Sequence, residues 1–232
     1  MQIDGVLYRN SILLFAIVSA VIVWGFWPSY YAHPWQLPSA RYYVHGVLMT
    51  AWLVMLLAQA YLIRSNRRSA HRTLGKASFV LAPLIVAMFV IMIHGAAAAH
   101  PGAGALQQIF LFYVLGAAFL FAFFYALAIV YRKTPATHAR FMACTVFPIY
   151  TAGTDRIAGQ VFPGANPLLV PPVAWAVGDV LLLALVIWDW QSRRRIGAFA
   201  VALALLVAYQ SLTAVAPLIP GWLSFTEWFA GL

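Results

Sequence analysis

Apolar residues run through the chain in stretches of roughly 20, the length that crosses the hydrocarbon core of a bilayer as a helix, and polar residues gather in the gaps between them. The runs cover residues 11–31, 42–64, 77–97, 107–131, 139–158, 172–191 and 197–216. They predict an all-α polytopic membrane protein with seven transmembrane helices, a single bundle over residues 1–216. The first run leads into aromatic and proline residues with no small-residue cleavage site, so it reads as a retained helix and not as a signal peptide. In the tail, 217–232, Trp222, Phe225, Phe229 and Leu232 recur at steps of three and four. That spacing predicts a short amphipathic helix on the outer surface.

The gaps are of two kinds. Arg64, Arg67, Arg68, Arg72 and Lys76 lie between the second and third runs, Arg132, Lys133 and Arg140 between the fourth and fifth, and Arg193, Arg194 and Arg195 between the last two. Because cytoplasmic loops carry the excess of Lys and Arg, these gaps are expected inside, which puts the N-terminus inside and the C-terminus outside. The alternate gaps are aromatic or broken. Trp24, Phe26, Trp27, Tyr30, Tyr31 and Trp35 suit an interfacial belt, and Gly159, Pro163, Gly164 and Pro167 interrupt a connection, 159–172, long enough for a lid or re-entrant cap. Pro83 and Pro148 fall inside runs, where each removes a backbone hydrogen bond and predicts a bend. His71 and His138 each end a basic gap at the mouth of the next helix, a faint internal repeat that also suits a topology signal.

Composition agrees with this class: 64% of residues are hydrophobic and 8% charged, against about 25% charged in a globular protein. The net charge of +9 does not point to nucleic acid, because all but Arg41 and Arg156 of the 14 Lys and Arg fall on the predicted inner side. Cys144 is the only cysteine and sits in an apolar run, which excludes a disulfide or a thiolate metal cluster and suits a small packing residue.

Ionisable groups within a membrane helix are costly, so those present usually face the bundle interior and have partners. On the predicted topology His45 lies about one turn below the outer surface and His94 at a similar depth. Asp155 and Arg156 lie at the outer end of the fifth run, Asp179 about two turns into the sixth, Tyr209 and Gln210 in the outer half of the seventh, and Tyr113 in that of the fourth. The inner half holds less: Gln59, the two loop histidines and Asp189, near the arginines at 193–195. His45, Met49, Trp52, Leu56 and Gln59 follow at four, three, four and three residues and share one face, expected to turn inward. Gly46 beside the histidine leaves room for a helix or a flat ligand to approach.

Three readings of the outer layer stand side by side. In the first, His45 and His94 ligate a haem b or, with Asp155 or Asp179, a divalent metal. A haem would pair a propionate with Arg156 and exchange electrons with quinol. A metal would activate water against a lipid substrate, with Asp179 as ligand or general base. In the second, the aspartates, Arg156 and the histidines form a pathway for protons or a small solute. In the third, Arg156 neutralises an aspartate, the histidines bond across helices, and the protein is an accessory subunit in a homo-oligomer or larger membrane complex.

Phe26-Trp27-Pro28-Ser29-Tyr30, His45-Gly46 with Trp52 and Gln59, His71-Arg72-Thr73-Leu74-Gly75 and His138-Ala139-Arg140-Phe141-Met142 resemble a group of uncharacterised bacterial multi-pass membrane proteins. The resemblance covers about the first five runs and implies a bacterial inner-membrane location, with no activity attached. Dihaem cytochromes of the b561 type are similar in carrying histidines near both membrane faces, but within helices, whereas His71 and His138 lie in or beside basic loops. Seven-helix zinc hydrolases are similar in topology and in a histidine/aspartate site, but use a late HxxxH pair, and no histidine follows His138 here.

Overall fold

The computed structural model describes residues 5–37, 39–100, 104–164, 170–191 and 197–232, with side chains from residue 11 onward and Val170 without its side chain. Among them every regular element is helical: α1 (Gly5–Phe26), α2 (Ala40–Arg64), α3 (Arg68–Ala99), α4 (Ala105–Val130), α5 (Pro135–Cys144), α6 (Phe147–Val161), α7 (Val170–Gln191), α8 (Ala198–Ala214) and α9 (Trp222–Ala230). Five stretches are long and apolar enough to cross a membrane: Ser11–Tyr31, Ala40–Arg64, Arg68–Ala99, Ala105–Val130 and Pro171–Gln191. No more than 39% of the most apolar window in any of these is buried. Large apolar side chains such as Leu13, Ile17, Val80, Phe119 and Val180 face outward. A surface facing water does not carry so many large apolar side chains, whereas one facing lipid does, and the chain is a membrane protein.

The fifth predicted run is interrupted. Pro148 has no N–H for the carbonyl of Cys144, and the chain ends α5 there, makes two short-range bonds (Thr145 N–H to Met142 at 3.3 Å, Val146 N–H to Ala143 at 3.3 Å) and restarts as α6. Proline is tolerated in the first turn of the new helix because the N–H it lacks has no intrahelical partner there. The expected bend is thus a break. Pro83, by contrast, lies within an uninterrupted α3. At the α2–α3 turn Asn66 takes φ 57°, the left-handed region that asparagine tolerates better than most residues.

α4 lies at the centre, packed against α3, α5, α6, α8 and α9, and buries Phe121, Phe124 and Ala128 completely. The predicted inner face of α2 is turned onto it, with Trp52 buried and its ring 5.0 Å from that of Phe121. α1 packs against α2 and α6, and α7 against α6 and α8. Gly25 and Gly153 let the α1 and α6 backbones touch, since a Cβ on Gly25 would strike the Gly153 carbonyl. The amphipathic tail helix forms as α9, but its apolar face covers protein: Phe229 packs with Ile93, Ala97 and Leu111, with Trp222 and Phe225 beside them.

The basic residues 193–195 and the centre of the 159–172 connection, expected to be an inner loop and a cap, lie outside the described residues.

Candidate functional site

Polar residues of four helices, expected in one outer layer, meet at one place. Thr151 and Asp155 are four apart on α6 and so share a face toward α4. There the Tyr113 hydroxyl lies 2.7 Å from Thr151 Oγ1 and 3.0 Å from Asp155 Oδ2. A tyrosine has one proton to give and can also accept, so Thr151 donating to Tyr113 and Tyr113 to Asp155 forms a directed chain that ends on a carboxylate. The other oxygen of Asp155, Oδ1, is buried with no hydrogen-bond partner. Arg156 does not take it: its guanidinium lies 3.9 Å from the centroid of the Phe26 ring and donates to the Ala152 carbonyl at 2.9 Å.

On α7, Asp179 accepts a hydrogen bond from Gln210 Nε2 of α8 at 3.0 Å. The Tyr150 hydroxyl bridges α6 to α7 by donating to the Ala174 carbonyl. Tyr209 lies over Gly116 and donates to the Tyr113 carbonyl at 2.6 Å. Tyr113, Trp175 and Tyr209 form an aromatic triangle with centroids 5.9, 6.3 and 6.4 Å apart. Between these groups runs a crevice lined by Tyr150, Thr151, Trp175, Asp179, Tyr209 and Gln210, with room for about one water molecule. Its polar wall offers hydroxyls, an amide and a carboxylate, and through Thr151 and Tyr113 it reaches a second carboxylate.

The histidines stand apart from it. His45 packs edge-on against Phe89, with centroids 5.0 Å apart. Phe89 precedes His94 by five residues, about 7.5 Å along a helix, so His45 and His94 do not share a level. His94 packs instead on Phe229 of α9, at 5.3 Å. Nδ1 of His45 and Nε2 of His94 are buried without hydrogen-bond partners, but they belong to different surroundings. Among the described residues no group of three His, Cys, Asp or Glu is placed to hold a metal ion. The packing of His45 on Phe89 and of His94 on Phe229 does not bring the two histidines together as a ligand pair. The space beside Gly46 is filled by the Tyr30 ring.

Two arrangements elsewhere in the bundle were not read from the sequence. Arg140 and Asp189 form a buried ion pair, Nε to Oδ2 at 2.8 Å and Nη2 to Oδ1 at 2.6 Å, with Arg140 also donating to the Ala136 carbonyl at 3.1 Å. The sequence groups Arg140 with the loop charges, whereas it lies within α5. Its signal was Asp189, a lone carboxylate at the matching depth of another helix. His71 and His138, expected in or beside loops, stand instead in the first turns of α3 and α5 and meet with centroids 6.4 Å apart.

No protein-family model, no curated protein and no solved structure matches the chain.

Proposed function

We propose that the chain is a bacterial inner-membrane protein that crosses the bilayer seven times, N-terminus inside and C-terminus outside, and passes protons or a small protic solute through the polar site in its outer half. The crossing count takes α5 and α6 in series as one span, since their 10 and 15 residues together extend about 37 Å, and takes the 17-residue α8 as the shortest span. The gaps at 64–68 and 131–134 then fall on one side, as their Lys and Arg require.

The observation that carries the reading is the pair of carboxylates, Asp155 and Asp179, joined to one crevice by hydroxyl and amide groups. Carboxylates kept in a membrane interior usually mark proton or solute routes. A hydroxyl that can both accept and donate relays a proton without moving far. The buried, unpartnered Oδ1 of Asp155 is where such a proton or donor would arrive.

The test is proton flux into liposomes that hold purified protein and a pH-sensitive dye, driven by a potassium diffusion potential. The wild type is expected to exceed protein-free liposomes, and Asp155→Asn or Asp179→Asn to lower the excess at least tenfold. Flux at the protein-free level would leave the accessory-subunit reading in its place. Flux unchanged in both variants would move the route elsewhere in the bundle.

A further inference from the structure

The inner end of the bundle holds a group of donors that the outer site does not use. His71 stands in the first turn of α3, His138 in the first turn of α5, and Gln59 in the last turns of α2. The two imidazoles are nearly perpendicular, with centroids 6.4 Å apart. Nδ1 of His71 and Oε1 of Gln59 are both buried and both lack a hydrogen-bond partner. Gln59 borders α3 one turn beyond His71, since its amide nitrogen lies 3.4 Å from where a Cβ on Gly75 would stand.

His138 is oriented as a metal ligand is. Its Nδ1 lies 2.7 Å from the Ala128 carbonyl, which only accepts, so Nδ1 carries a proton and the lone pair of the neutral ring lies on Nε2. That carbonyl is free because α4 ends there, the Arg132 N–H having turned to Ile129 instead. Imidazoles that bind metals characteristically donate their other ring N–H to a carbonyl or carboxylate in this way.

We propose that His71 Nδ1 and His138 Nε2 bind one divalent first-row transition ion, Zn(II) or Cu(II), with Gln59 Oε1 as a third donor. Imidazole suits both ions and a neutral amide oxygen is an acceptable companion. With a metal–nitrogen bond of about 2.0–2.1 Å each ring centroid stands about 3.2 Å from the ion, so two centroids lie roughly 5 Å apart at a tetrahedral angle and about 6.4 Å apart in line. The observed 6.4 Å is the outer limit, and the rings close by about 1 Å to reach tetrahedral geometry. The nearby cations Arg72 and Arg132 are exposed, so salt screens their repulsion. The site is independent of the outer carboxylates.

The full-length protein, purified in detergent and stripped with chelator, is titrated with Cu(II) and followed by electron paramagnetic resonance, and with Zn(II) by equilibrium dialysis. One ion per chain and splitting from two nitrogens are expected. His71→Gln and His138→Ala should each weaken binding at least tenfold, whereas the double variant His33→Ala, His100→Ala should bind as the wild type does. Gln59→Leu should weaken binding by less than either histidine change. The proposal is overturned if the wild type binds no stoichiometric ion, if the copper signal shows no two-nitrogen pattern, or if His33→Ala, His100→Ala abolishes binding. Because the wild-type spectrum alone can overturn it, a variant that fails to fold does not protect it.

Discussion

Replacing Asp189 by alanine should be among the most damaging single changes in this protein. Arg140 is 1% exposed and Asp189 5%, and their two charge-assisted hydrogen bonds, at 2.6 and 2.8 Å, tie α5 to α7. The Phe199 ring of α8 lies 5.8 Å from the guanidinium. Removing the carboxylate leaves a cation in a place without water, and breaking a buried pair from one side costs about 3–5 kcal/mol. A domain of this size loses about 2–4 °C in midpoint per kcal/mol, so Asp189→Ala should lower the unfolding midpoint by about 6–20 °C. The double change Arg140→Met with Asp189→Leu removes both charges and fills similar volume. It should recover most of that loss, because a buried pair is about even with apolar residues of its own size.

The protein supplies its own probe for this measurement. Cys144, the only cysteine, is fully buried one turn beyond Arg140 on α5. A thiol-reactive fluorophore can therefore label the chain only when this region opens, and the midpoint of labelling during a thermal ramp reads the stability at the ion pair. A midpoint for Asp189→Ala within about 2 °C of the wild type would refute the assigned role. So would a double variant no more stable than Asp189→Ala.

Two further outcomes follow from the backbone and the loops. Gly25→Ala should cost about 1–3 kcal/mol, because the new Cβ meets the Gly153 carbonyl and pushes α1 away from α6, straining the hydrogen bond from Gln160 Nε2 to the Gly25 carbonyl at 2.9 Å. Gly159→Ala, in the last turn of the same α6 with nothing within 4 Å of its Cβ, should gain up to about 1 kcal/mol; the same labelling ramp checks both. Reporter fusions check the seven-crossing topology: green fluorescent protein after Arg132 should be fluorescent, alkaline phosphatase after Gly164 or the C-terminus active, and the reverse pattern would invert the orientation.

Hydropathy located nearly every helix but ranked depth better than direction. The long runs reappear as α1 to α4 and α7, with α1 and α3 beginning six and nine residues before their runs, because a stretch of apolar side chains has one low-energy form in lipid, a helix with its hydrogen bonds satisfied internally. Asp155, Asp179, Tyr113, Tyr209 and Gln210 were expected in one layer, and contacts join them there. His45 and His94 were given that layer too, yet helical rise separates their levels and one turns to Phe89, the other to Phe229. Spacing along a single helix states which residues share a face, as it did for Trp52 and Leu56, but not which neighbour that face meets. Where two helices each carry one unusual polar residue at the same depth, pairing them is a sound inference, and Arg140 with Asp189 would have been found by it. What hid that pair was reading Arg140 as one of many loop cations. A positive-inside count treats every arginine alike, whereas Arg140 stands six residues into a helix that begins at Pro135, far enough from the loop to lose its water and to need a carboxylate.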